Sequence, residues 1–295
     1  MALWSALALL MSTAATASAL GAGPVPPGAG PSAAASTDTR PAAEAAPVPP
    51  APQGLARAAV AAAQARAGRS TQLGVAVLDR VTGELEVNDR GDEPFYTASL
   101  SKLVVAVDVL HRRRFEGLAV TDADLDLIER ALGPSDDAAM NALWDRFDGT
   151  GASARVAQRL GIRITAPRRV GQWGEVEVTP AAYAALLRHV LEGMPRNDGE
   201  RVVADLDAAP DVARDGFDQA FGLLAPAVRR GPGAVAKQGW MCCFSGQYYL
   251  HSAGVVGADR RFVTVLLTRL PAAGGPGAAR TELTAIAGGA VAALG

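Results

Sequence analysis

Two short apolar runs, residues 73–79 and 84–87, flank a Val81-Thr82-Gly83 turn and predict a β-hairpin, and residues 53–67 before them, rich in Ala and Arg, predict a helix. Apolar positions then recur at helical spacing over 99–113, 122–132, 137–147, 152–160, 179–191 and 201–206. Strand patterns return at 234–239, 247–256 and 261–270, with an Asp259-centred turn between the last two, and 281–293 closes as a helix. Strands at both ends around a helical middle predict an α+β fold, in which one antiparallel sheet formed by both chain ends carries an inserted all-helical lobe. An active site is then expected in the cleft between lobe and sheet.

The N-terminal residues fit no such pattern. Residues 1–19 are apolar and small, and end in Ala17-Ser18-Ala19, the A-x-A form of a signal-peptidase site. They read as a signal peptide, although no Lys or Arg precedes the apolar stretch. Residues 20–53 are dominated by Ala, Pro, Gly and Ser without an apolar period, and such a composition buries too little surface to offset the entropy of ordering. They read as a disordered linker, and 54–295 as the folded domain. The expectation is a secreted, extracytoplasmic protein of the cell envelope. No cysteine follows the leader, which argues against a membrane anchor there, and the apolar core 6–11 is far shorter than the roughly 20 residues of a spanning helix.

Charge excludes some partners. The 28 basic and 30 acidic side chains nearly cancel, leaving no field that draws nucleic acid or an anionic membrane. A small-molecule substrate and a monomer are expected, with no cofactor. Cys242 and Cys243 are neighbours and cannot staple distant segments. They read as two small buried thiols on a strand, with a vicinal disulfide as the alternative.

Candidate chemistry begins at Ser99-Leu100-Ser101-Lys102, just ahead of the apolar run 103–107. At i and i+3 of a helix, Ser99 and Lys102 share a face within hydrogen-bond reach. Free N–H groups of a first turn and the helix dipole favour an oxyanion there, and a lysine in a dry cleft can lose its proton and serve as base. The competing reading makes Ser99 a helix cap and Lys102 a solvated side chain. Two further elements follow: Ser135-Asp136-Asp137 ahead of Ala138-Ala139-Met140-Asn141, and Lys237-Gln238-Gly239-Trp240 on the strand that reopens the sheet. Taken singly, the first reads equally as a capped helix start and the second as a solvated lysine on a strand end.

In this order the three motifs resemble the S-x-x-K, S-D-N and K-T-G elements of penicillin-recognising serine enzymes, with class A β-lactamases closest. The resemblance covers about 54–295, and Thr179-Pro180-Ala181-Ala182-Tyr183-Ala184 adds to it by resembling the start of the helix after the omega loop. It implies Ser99 as nucleophile, with Lys102 and Ser135 moving protons. It further implies Asp137 at the position that holds the substrate amide, and Lys237, Gln238 and Gly239 along the substrate carboxylate and backbone. The resemblance also implies that the backbone N–H of Trp240 completes the oxyanion hole with that of Ser99. The implied substrate is a β-lactam or a peptidoglycan stem peptide.

Four departures bear on turnover. The glutamate pattern that activates the deacylating water in class A enzymes, E-x-x-L-N, is missing. The loop before Thr179 looks shortened, leaving Glu175 as the candidate for that role and Glu177 as the second. Asp137 stands where the family has Asn, an acceptor in place of a group that donates and accepts, and near Lys102 it favours the ammonium. Gln238 replaces Thr, and the spacing from Ser99 to Ser135 is shorter than the family's. Slow deacylation gives a D-Ala-D-Ala peptidase or penicillin-binding protein, and loss of turnover gives a non-catalytic cell-wall-binding module. A Ser-His-Asp hydrolase would have to draw its base from His111, His189 or His251, none of which lies in a recognisable motif, and no metal-ligand spacing occurs.

Overall fold

The computed structural model describes residues 52–229 and 234–295, so the signal-peptide and linker readings fall, apart from residues 52 and 53, outside the described residues. Five strands form the main sheet: β1 (Gln72–Asp79), β2 (Leu85–Val87), β6 (Val235–Phe244), β7 (Gln247–Val256) and β8 (Phe262–Pro271). Their order is β2-β1-β8-β7-β6, antiparallel throughout, and β1 pairs with β8 from Gln72↔Arg269 to Asp79↔Phe262. The sheet is thus made by both ends of the folded region, with the helices between them, as the α+β reading expects.

Period-two alternation splits the sheet into two cores. Leu73, Val75 and Val77 of β1, with Leu266 and Leu270 of β8, face α1 (Leu55–Gln64) and α8 (Gly275–Ala292), while Ala76, Leu78, Val263, Val265 and Leu267 face the helical lobe. The lobe consists of α2 (Ser101–Phe115), α3 (Asp122–Leu132), α4 (Asp137–Arg146), α5 (Gly149–Leu160), α6 (Pro180–Arg188) and α7 (Arg196–Asp207). Its central helix, α2, is buried on every side from Ser101 to Leu110, as befits a helix inside a lobe rather than on its surface. That burial encloses two charged residues, Lys102 and Asp108. Asp108 is held by Arg155 at 2.7 Å and also by Arg112 and Arg159, as a buried carboxylate must be.

Several boundaries differ from the sequence expectation for local reasons. The helix expected at 99 begins as a 3-10 turn, Ala98–Leu100, before α2. The one expected over 179–191 ends at Arg188 and continues as a π-helical turn, His189–Gly193. The polar start of α7 and the Gly-Pro-Gly start of α8 hide helical turns, the latter because Pro is tolerated in a helix's first turn. A second sheet, β3-β5-β4, is built from β3 (Phe95–Tyr96), β4 (Ile164–Thr165) and β5 (Glu177–Val178), strands too short to show alternation. Cys242 and Cys243 correct the buried-thiol reading: they form a vicinal disulfide and are exposed, because β6 runs past the packed part of the sheet there.

Candidate active site

Ser99 lies on the turn that carries the chain from β3 into α2. Ala98 ahead of it adopts the left-handed φ of 46°, a conformation a non-glycine residue holds only when its surroundings impose it. Those surroundings are visible: Thr97 N–H donates to Val176 O at 2.8 Å, the Ser101 hydroxyl to Ala98 O at 2.9 Å, and the Tyr183 hydroxyl to Leu100 O at 3.2 Å. The serine is buried with its hydroxyl 3.0 Å from Lys102 Nζ.

Lys102 gathers the site. Its ammonium nitrogen also contacts Ser135 O at 2.7 Å, Ser135 Oγ at 3.1 Å and Asp137 Oδ1 at 2.6 Å. Four acceptors compete for three hydrogens. Burial pushes the Lys102 pKa down, and the Asp137 carboxylate opposes this without overcoming it. The expected tension between a charged partner and a neutral base is therefore present, with burial acting against the pull of Asp137.

Ser135 has the left-handed φ of 56° at the entry to α4. Asp136 fixes that entry by accepting from Ala138 N at 2.8 Å and Ala139 N at 3.2 Å, while Arg130 holds its other oxygen at 2.6 Å. The Ser135 hydroxyl also meets Lys237 Nζ at 2.8 Å, and Lys237 reaches Gln238 O at 3.1 Å. Burial, and next the neighbouring Lys102 charge, drive the Lys237 pKa well below that of a free lysine. One hydroxyl thus stands between two buried amines. Gly239 lets β6 press against the serine turn: a Cβ there would lie 2.9 Å from Thr97 O.

The other expected residues are placed differently. Strand alternation turns Gln238 away from Lys237, so its amide donates to Gln219 O at 3.1 Å and to Phe221 O, and not toward the lysine cluster. The Trp240 ring stacks on Phe217 at 4.6 Å, bonds Asp215 Oδ2 at 3.0 Å and stands 5.8 Å from Lys237 Nζ, beside the lysine cluster. Glu175 ends the 3-10 turn Trp173–Glu175 with its carboxylate bound by Arg169, and Glu177 lies on β5 opposite Tyr96 and Thr165. Trp173, which the motifs did not single out, also joins the site, together with Asn141 of the element that follows Asp137. The Trp173 ring stands 5.0 Å from Lys102 Nζ, tethered through its indole N–H to Asn141 Oδ1 at 2.8 Å. An aromatic side chain in the otherwise polar and glycine-rich loop ahead of Thr179 was the available signal. Among the described residues no histidine hydrogen-bonds a serine hydroxyl; His251 is buried between Tyr96 O at 2.7 Å and Thr268 N at 3.1 Å.

No protein-family model matches the chain. The candidate lipoprotein LppW of Mycobacterium bovis and of Mycobacterium tuberculosis is 34% identical over 209 residues, covering 70% of this chain and 66% of LppW, just under two thirds of that protein. Among solved structures, a β-lactamase from Sphaerobacter thermophilus superposes with a TM-score of 0.63 at 21% identity, covering 82% of this chain and 96% of the other. A class A β-lactamase from Mycobacterium abscessus gives 0.60 at 18% identity over 81% and 98%. A variant of the reconstructed ancestor of Gram-negative class A β-lactamases gives 0.59 at 25% identity over 80% and 98%. The chain has a class A β-lactamase-like fold, and its low identity to these structures makes it a divergent example of that fold.

Proposed function

We propose that the protein is an active-site-serine acyl-hydrolase, in which Ser99 takes the acyl group of a β-lactam or a related carboxylate-bearing amide. The observation that carries this reading is the Lys102 amine, buried and within hydrogen-bond distance of both the Ser99 and the Ser135 hydroxyls. Lys102 in its neutral form accepts the Ser99 proton as Oγ attacks the carbonyl carbon. Ser135, held between Lys102 and Lys237, passes a proton to the departing nitrogen. Backbone N–H groups of Ser99 and Trp240 face the developing oxyanion, and Lys237 draws the substrate carboxylate. Water then releases the acid.

Slow release is the second reading, and the Arg169 contact of Glu175 favours it, since the guanidinium occupies the carboxylate that would have to engage the water. The protein would then hold its acyl group for long periods, as a penicillin-binding protein or stem-peptide peptidase does. Export to the cell envelope accords with the leader-like residues 1–19 and with the candidate-lipoprotein relatives, and no helix among the described residues is long and apolar enough to cross a membrane. Incubation with a chromogenic cephalosporin, followed by mass spectrometry, tests the proposal. Colour with a transient adduct supports turnover, and a persistent adduct supports slow release. An adduct that survives Ser99→Ala, or neither adduct nor colour, overturns it.

A further inference from the structure

We propose that Asp137 makes the site selective for substrates that carry an ammonium group on the amide side chain attached next to the reacting carbonyl; this rests on Ser99 being the acylated residue. Lys102 Nζ lies 3.0 Å from Ser99 Oγ and 2.6 Å from Asp137 Oδ1, so the carboxylate is within the span of one ammonium group of the attacking oxygen. An acyl group arriving at Ser99 therefore has Asp137 as a neighbour.

Exposure makes it the neighbour met first. Ser99, Lys102, Ser135 and Lys237 are at most 4% exposed, whereas the Asp137 side chain is 53% exposed. Lys102 is its ion-pair partner among the described residues and engages Oδ1, while no hydrogen bond among the described residues engages Oδ2. A carboxylate accepts and never donates. A substrate carbonyl oxygen set against Oδ2 is repelled, while an N–H is attracted and an ammonium more so.

The surroundings reinforce that sign. Asp215, fixed at 3.0 Å by the Trp240 indole, adds a second negative charge whose field reaches both lysines. The two lysines lie beneath, each buried, whereas the Asp137 carboxylate is exposed. The opening thus presents negative charge outward, and the positive groups lie beneath it.

The test uses three penicillins that share one ring system and differ in the side-chain substituent next to the amide: ampicillin with an amine, benzylpenicillin with none, and carbenicillin with a carboxylate. Acylation rates of Ser99 are measured by mass spectrometry at pH 6, where the amine is charged. The expected order is ampicillin, benzylpenicillin, carbenicillin, with about tenfold between the extremes and a smaller spread at high salt. Asp137→Asn, isosteric at a half-exposed position, is expected to remove the preference. Equal rates in the native protein, or the same order in Asp137→Asn, overturn the proposal. If none of the three acylates, the acyl-enzyme reading fails, and selectivity is read from the affinities of Ser99→Ala for the same compounds. Tighter binding of ampicillin there supports the proposal, and equal binding overturns it.

Discussion

Lys237 Nζ and the Ser135 hydroxyl meet at 2.8 Å, and at this contact the edge strand β6 closes onto the helical lobe. Because the same hydroxyl stands 3.1 Å from Lys102 Nζ, the contact links two buried amines through one oxygen. Ser135→Ala removes an acceptor from each. It is expected to lower unfolding stability by about 1–3 kcal/mol in urea titrations and to slow Ser99 acylation by roughly 10- to 100-fold. A rate within twofold of the native protein's removes Ser135 from the proton path.

The protonation of Lys102 sets a pH profile. Burial brings its pKa below the ordinary 10.5, so the neutral base becomes available at lower pH than for a free lysine. The acylation rate is expected to climb with pH through a midpoint below that value and then level off. Asp137 raises the pKa, so Asp137→Asn should move the midpoint further down. A midpoint shifted upward by the substitution contradicts the assignment of Lys102 as base.

The fold was legible wherever apolar periodicity ran long. Strands β1, β7 and β8 lie within a residue of their expected bounds because their burial is nearly continuous, and helix α3 does so because its buried positions recur at helical spacing. The two-residue strands of the second sheet were not legible, since they exist only through the pairing of β3 and β4 with β5. At the site, the i, i+3 spacing linked Ser99 to Lys102, and the resemblance of the motifs added Ser135, Asp137 and Lys237, which the structure places around Lys102 and Ser135. Strand alternation separates Gln238 from Lys237, but which of the two meets the Ser99 cluster, and that Arg169 would occupy Glu175, depend on tertiary packing.

Trp173 covers Lys102 from the shortened loop, at 5.0 Å. Trp173→Ala opens that face to water. The acyl-enzyme half-life, followed by mass spectrometry after removal of excess β-lactam, is expected to shorten several-fold. An unchanged or longer half-life shows that the indole does not keep water from the ester.

His251 carries a separate pH dependence. It is fully buried, bonded on both ring nitrogens, and burial lowers its pKa to about 4. A depressed folded-state pKa means that its contribution is complete above the ordinary 6.5 and is lost as pH falls toward 4. His251→Gln is expected to flatten the stability profile between those values by about 3 kcal/mol. Denaturant unfolding of the two proteins at several pH values measures this, and parallel profiles contradict it.

The central claim concerns Ser99 itself, and intact-protein mass spectrometry after incubation with benzylpenicillin tests it most directly. The predicted result is a single adduct of the whole penicillin mass, mapped to the peptide bearing Ser99, lost in Ser99→Ala and strongly slowed in Lys102→Ala. An adduct on any other residue, or none under conditions where the protein is folded, contradicts the account.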